Sequence, residues 1–367
     1  MHDFTAEMEE GDNLYVDHSY YYDNESYPCE ATDNCTEIVF PSEMPMSEIG
    51  SRHWFALVCY SIVFLLGVPG NGLVVWVTAF RMPNSVNAQW FLNLAIADLL
   101  CCLSLPLLMV PLAQDQHWPF GDVACKLLNG LFYMMMYCSV LLLVVISLDR
   151  FLLVTKPVWC QNHRHQRQAR SVCFVVWILA LLGGSPQFAL MEAYEASKTK
   201  ILCVASYRTL GHAWAVILTR SFLSFLLPFL IICGSHWKVY HMTSSGRQRG
   251  SDKSGRMLRV ILAVVLSFFL CWIPLQIVDL LQLATYGQSA RLEANLRLAH
   301  VLTVCLSYVN SCLNPLLYVC LGRGFKANLI SSLRSVLHFA SEAPTNRIST
   351  TANSKSTTDG TLREKPV

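Results

Sequence analysis

The sequence predicts an all-α membrane protein: a seven-transmembrane helix bundle followed by a short amphipathic eighth helix. Three observations carry that prediction. First, only 14% of the 367 residues are charged while 53% are hydrophobic, with a mean hydropathy of +0.39; a soluble globular chain carries about 25% charged residues. Second, the apolar residues gather into seven blocks, 54–80, 87–113, 123–155, 169–190, 212–241, 257–284 and 295–320, each matching or exceeding the roughly 20 residues of a spanning helix. Third, the bases fall mainly in alternate loops: Arg81; Lys156, Arg164, Arg167 and Arg170; Lys238, Arg247, Arg249, Lys253, Arg256 and Arg259; Arg323, Lys326 and Arg334. Basic loops stay cytoplasmic. Backbone groups in lipid must be satisfied within a helix or a closed barrel, and continuous apolar runs of this length are helical.

These features divide the chain into four parts. Residues 1–50 form an extracellular tail, 51–321 the bundle, 322–338 a membrane-surface helix and 339–367 a cytoplasmic tail. The tail 1–50 holds thirteen Asp/Glu and no Lys or Arg, which leaves twelve acids against 27 bases, net +15, in the remainder. The overall charge of +2 therefore conceals two opposite ends. Such a chain belongs in the plasma membrane as a multi-pass protein, N-terminus outside and C-terminus inside. Met1 is not followed by a basic-then-apolar signal, so the first helix is expected to act as its own insertion signal.

Along the acidic tail, Tyr15 and the run Tyr20-Tyr21-Tyr22-Asp23 lie among carboxylates, a context suited to tyrosine sulfation. Asn24 and Asn34 begin glycosylation sequons. Such a segment cannot bury a core; it reads either as an electrostatic lure for a cationic partner or as a solubilising tail. Four cysteines fall outside the membrane, Cys29, Cys35, Cys125 and Cys203, where disulfides persist. A bridge from Cys125, at the start of the third block, to Cys203, in the loop before the fifth, would pin that loop over the bundle mouth. The spacing leaves the connectivity open.

Within the blocks, polar residues are rare enough to stand out. Gly70-Asn71-Gly72 lies in the first and Asp98 in the second. A lone carboxylate in apolar surroundings must be neutral or partnered. Ser139, Asn310, Ser311 and the run Asn314-Pro315-Leu-Leu-Tyr318 offer partners. The cluster reads as a pocket for a sodium ion or water, or as a structural network. Leu141–Phe151 ends with Asp149-Arg150, an ionisable pair at membrane depth and hence a functional-site candidate. Trp272-Ile-Pro274 follows Phe268-Phe269; proline kinks the sixth helix, and the indole beside it can repack when the helix pivots. Pro228 and Pro315 add kinks to the fifth and seventh helices. Phe325, Leu329 and Leu333 have the spacing of an amphipathic surface helix. The final tail holds Ser349, Thr350, Thr351, Ser354, Ser356, Thr357, Thr358 and Thr361, candidate phosphorylation sites for a basic partner to read.

Asn71, Asp98, Asp149-Arg150, Trp177, Pro228, Trp272-Ile-Pro274 and Asn314-Pro315-x-x-Tyr318, in this order over residues 54–335, resemble the rhodopsin-like G-protein-coupled receptors. Asn87-Ala-Gln-Trp-Phe-Leu-Asn-Leu-Ala95, His117-Trp-Pro-Phe-Gly121 and the stretch from Asp149 to Asn162 look like the chemoattractant branch, and within it the complement anaphylatoxin receptors. The resemblance implies a receptor for a basic chemoattractant protein, with the fifth-component anaphylatoxin as the expected ligand. It further implies inhibitory-class heterotrimeric G proteins, and arrestin and receptor kinases as partners. By position, Cys125–Cys203 resembles the family disulfide, and Asp98 with Ser139 and Asn310 its sodium pocket. Trp272 resembles the activation toggle, Arg150 the resting-state and G-protein contact, and Arg220 a ligand contact in the mouth. The chain departs from the pattern at His300, where an acid often meets the ligand's terminal arginine. Met191 and Ala213 replace charged contacts. His236 stands where a tyrosine commonly supports the active state with Tyr318, and Phe151 replaces the commoner tyrosine after Arg150.

Other readings fare worse. The seventh block has no lysine for a retinal Schiff base, and Phe132 occupies the place where an amine receptor wants an acid. The repeated halves and broken helices of a transporter are missing, and no nucleophile–base pair, metal cluster or phosphate loop points to an enzyme. No nucleic acid is expected as a partner, and no cofactor beyond an allosteric sodium ion. The alternatives kept open are a receptor for a chemerin-like or chemokine-like peptide, or a non-signalling scavenger.

Overall fold

The computed structural model describes residues 38–40, 50–82, 85–114, 116–244, 252–286 and 288–321. The sulfation candidates Tyr15 to Asp23, the sequons Asn24 and Asn34, Cys29 and Cys35, the eighth helix and the Ser/Thr tail all lie outside these residues.

Among the described residues, seven long apolar helical segments appear where the hydropathy places them. The first runs as α1 (Gly50–Trp76) and continues in a π-helical turn, Val77–Arg81. Next come α2 (Val86–Ala113) and α3 (Gly121–Thr155). A short α4 (Pro157–His163) leads into α5 (Gln166–Leu190). The fifth spanning segment, expected as one helix, is built in three pieces: α6 (Leu210–Ser221), a π-helical turn Phe222–Leu226 and α7 (Leu227–Ser244). The π turn lies just before Pro228, whose missing N–H therefore falls where a regular ladder has already been interrupted. The last two are α8 (Asp252–Ala284) and α9 (Ala290–Leu321), with Pro274 and Pro315 inside them.

Local chemistry sets several boundaries. Ser85 Oγ accepts the Ala88 N–H at 3.3 Å and Thr209 Oγ1 the His212 N–H at 3.1 Å, capping α2 and α6. Gly121 opens α3 with φ of +75°, a conformation that suits a residue without Cβ. Large apolar side chains such as Leu65, Phe174, Leu182, Leu230 and Leu270 remain exposed on the bundle's flanks. In water such a surface would be a liability; against lipid it is the contact surface of a spanning bundle. Polar side chains turn inward: Asn71, Asp98, Ser224, Asn310 and Asn314 are all buried.

At one end a three-stranded antiparallel sheet covers the helices. Strand β2 (Met191–Ser197) forms a hairpin with β3 (Lys200–Tyr207), and β1 (Ile38–Phe40) pairs with the far side of β3, Phe40 facing Ala205. The sequence predicts a loop before the fifth helix here; the structure has strands. Two ties fasten the sheet to α3. Cys125 and Cys203 are disulfide-bonded with their Cα atoms 5.6 Å apart. Three residues earlier, Asp122 Oδ1 accepts the Ala193 N–H at 3.0 Å while Oδ2 meets Lys126 Nζ at 2.5 Å.

Candidate functional site

The polar features occupy three levels of the bundle: the sheet end, the middle and the opposite end.

At the sheet end, a cavity of about 130 Å³ is lined in part by Tyr60, Leu108, Phe132, Tyr133, His300 and Tyr308. Two of its walls, Tyr133 and His300, adjoin a charged cluster. Arg220 Nη2 on α6 donates to Asp279 Oδ2 on α8 at 2.5 Å. Both residues are buried, with 6% and 5% exposure. His300 Nε2 on α9 lies 3.5 Å from the other carboxylate oxygen. The guanidinium also stacks over the Tyr133 ring, 4.8 Å from its centroid. Its Nε is buried with no hydrogen-bond partner among the described residues. Burial pushes the phenol of Tyr207, on β3 nearby, above its ordinary value against the pull of Arg220, so it remains a neutral donor. Arg220 and His300, named from the sequence, are thus brought together, and Asp279 joins them unannounced. His300 does not leave the mouth without an acid; the acid comes from the neighbouring helix. Met191 and Ala213, by contrast, are buried in apolar clusters.

Below the cavity, aromatic rings lead inward. Tyr60 meets Tyr308 at 5.5 Å between centroids, Tyr308 meets Phe132 at 5.1 Å, and Phe132 meets Trp272 at 5.2 Å. Phe268 lies 5.8 Å from Trp272 on its other side. Trp272 sits two residues before Pro274, where the helix ladder is interrupted.

In the middle, Asn314 Nδ2 donates to Asp98 Oδ2 at 2.7 Å. Asn71 Nδ2 joins α1 to α9 by donating to Ser311 O at 2.8 Å. Ser139 and Asn310 are buried, but neither is hydrogen-bonded to Asp98 among the described residues. Three side-chain acceptors, Asn71 Oδ1, Asn310 Oδ1 and Asn314 Oδ1, are buried without a partner among the described residues. These oxygens and the Asp98 carboxylate are of the donor type that hard cations take.

At the opposite end, Arg150 Nη2 reaches Asp149 Oδ2 at 2.9 Å and donates to Asn87 Oδ1 on α2. A second arginine shares both partners: Arg164 Nε and Nη2 donate to Asp149 Oδ1 and Oδ2 at 2.7 and 3.0 Å. By sequence alone Arg164 is simply one of the loop bases. His236 on α7 faces Ser147 Oγ at 3.5 Å, and the Tyr318 ring packs on Phe91 at 4.8 Å. Trp177 donates from Nε1 to Asn93 Oδ1 at 3.0 Å, tying α5 to α2.

Comparison with known proteins gives the arrangement its relatives. The profile of the 7 transmembrane receptor (rhodopsin family) matches residues 70–318. The chain is 77% identical over 327 residues to the C5a anaphylatoxin chemotactic receptor 1 of Danio rerio, covering 89% of this chain and 94% of that one. It is 60% identical over 304 residues to the receptor of the same name in Oncorhynchus mykiss, covering 82% and 86%. Its identity to the C3a anaphylatoxin chemotactic receptor of Danio rerio is 41% over 300 residues, covering 82% and 81%.

Proposed function

The chain belongs to the rhodopsin family of seven-transmembrane receptors, and from that membership we propose that it is a plasma-membrane receptor for the C5a anaphylatoxin that signals through a heterotrimeric G protein. The sheet end faces outside and the Asp149–Arg150 end faces the cytosol. Identity of 77% to a C5a receptor against 41% to a C3a receptor, both of Danio rerio, supports C5a as the ligand.

The observation that carries the mechanism is the buried Arg220–Asp279 pair beside the cavity. A basic protein is drawn first to the thirteen acids of residues 1–50. A segment of it then enters the mouth, where Asp279 offers a carboxylate to a cationic group and Arg220 a guanidinium to an anionic one. Because the pair bridges α6 and α8, a ligand that competes for either partner changes the spacing of those helices. The ring series Phe132–Trp272–Phe268 transmits this to the kink at Pro274, and the inner half of α8 swings out. That opening exposes Arg150 to the G protein, which we assign to the inhibitory class. Ligand acts by binding the open arrangement better than the closed one, so a bound G protein must tighten the ligand in return. Asp98, Ser139, Asn310 and Asn314 would hold a sodium ion that favours the closed arrangement. Phosphorylation between Ser349 and Thr358 would recruit arrestin.

C5a affinity, measured on membranes with and without excess guanine nucleotide, tests the reading. Affinity that falls when nucleotide releases the G protein supports it; nucleotide-independent binding accompanied by ligand uptake shows a scavenger instead.

A further inference from the structure

Of the two arginines on Asp149, the one remote in sequence holds it better. Arg164 grips both carboxylate oxygens, at 2.7 and 3.0 Å, whereas Arg150 makes one contact at 2.9 Å. A planar guanidinium matches a carboxylate best at two points. Arg164 also donates from Nη2 to Asn87 Oδ1 at 2.6 Å, and its backbone N–H is held by Cys160 O at 2.9 Å. Arg150, meanwhile, keeps a buried Nε with no partner among the described residues. It is the less satisfied of the two, and the one with more to gain by leaving.

We propose that Arg164 is the standing counter-ion of Asp149. When Arg150 disengages, the carboxylate passes from two guanidiniums to one and stays paired, so the inner lock opens by exchange of partners. The inference rests on the receptor reading above only in that Arg150 leaves Asp149 in the open state. Arg164 acts through Asp149 and is a positioning residue. The groups facing Asp149 are Arg150 on its own helix, Arg164, the neutral Asn87 of α2 and the thiol of Cys160 on α4, which burial pushes up and thereby keeps neutral. His236 of α7 faces Ser147.

Resting-state closure alone would require the opposite sign. If Arg164 merely reinforced the closed lock, removing it would open the receptor. If it is the counter-ion that remains, removing it strands Asp149 in the open state and closes the receptor, except where acid neutralises the carboxylate.

The test uses the full chain in lipid nanodiscs, with a fluorescent amino acid replacing the exposed Arg259 at the inner part of α8. The open fraction is measured from pH 5.5 to 8. The ligand-free receptor reads the role of Arg164, and the response to C5a reads the receptor assignment separately. Each variant profile is read as a ratio to wild type at the same pH. Arg164→Gln should lower the open fraction about tenfold at pH 7.5, the worth of one charge-assisted hydrogen bond, and recover it as the pH falls. Arg164→Lys should restore part of the loss. Asp149→Asn/Arg164→Gln should match Asp149→Asn at every pH. A raised open fraction in Arg164→Gln, an unshifted pH profile, or a deficit that persists in the double variant overturns the proposal.

Discussion

Replacing Asp279 with alanine separates the two roles that the mouth ion pair plays. The pair is almost fully desolvated, with side-chain exposures of 7% for Arg220 and 6% for Asp279. At an effective dielectric of ~20, unit charges ~4 Å apart attract by about 4 kcal/mol, and removing one member of a buried pair costs roughly 3–5 kcal/mol because the survivor is left unpaired. In Asp279→Ala the survivor is Arg220, whose Nε already lacks a partner among the described residues; the Tyr133 ring and His300 cannot replace a carboxylate. At about 2 °C per kcal/mol for a chain of this size, the thermal midpoint of the solubilised receptor should fall by roughly 6–10 °C. In Arg220→Met/Asp279→Leu both charges vanish, and the midpoint should return to within about 2 °C of wild type. C5a affinity should not return. Each lost charge-assisted contact weakens binding by roughly 10- to 150-fold, in the single and the double variant alike. Thermal unfolding at a fixed scan rate and C5a binding on the same preparations give both readings. A midpoint unmoved in Asp279→Ala refutes the buried-pair argument. Affinity rescued together with stability in the double variant refutes any ligand role for the pair.

Cys203→Ser removes the bridge to Cys125 across a separation of 78 residues, worth up to about 4–5 kcal/mol on chain-entropy grounds; C5a binding at matched surface expression should be lost, and binding at wild-type affinity would disprove the anchoring role of the sheet. Asp98→Asn removes the carboxylate that Asn314 meets at 2.7 Å. Wild-type C5a affinity should be lower in sodium than in an equal concentration of a bulky organic cation, and the variant should show no such difference; an undiminished sodium effect would count against the pocket. Gly184→Leu should fail to reach the cell surface, because a Cβ there would already lie 3.0 Å from the Met134 backbone on α3 and overpacking costs about 1–3 kcal/mol or more. Normal export would show that α3 and α5 can separate.

What the sequence disclosed and what it withheld divide along physical lines. Spanning helices were legible because lipid imposes length and apolarity on a contiguous stretch, a property that needs no knowledge of neighbours. Asp98 was legible because a single carboxylate in an apolar block demands a partner, and Asn314 supplies it. The same logic applied to Asp279, an acid alone in the sixth block, and pairing it with Arg220, set within the apolar run of the fifth, would have found the mouth cluster. The family pattern points instead to the seventh helix, where this chain has His300. Arg164 was hidden for another reason. It lies in a basic run that reads as solvated charge, and its partner Asp149 is fifteen residues away across the turn formed by α4. The strands β1 to β3 were missed because short, mixed segments such as Met191–Ser197 give no strong alternation. The π-helical turns left no mark on the hydropathy at all.

The turn at Phe222–Leu226 has a consequence for how the mouth tolerates change. Each residue advances an α-helix by about 100°, and a π turn accommodates one residue beyond the regular count. Deleting a single residue from this stretch would let the ladder run straight through, and everything towards the hairpin would rotate by about that angle. Arg220 would swing away from Asp279 and the Tyr133 ring, although no contact residue had been altered. The mouth is therefore more vulnerable to a change in chain length at the bulge than to many exchanges of side chain around it.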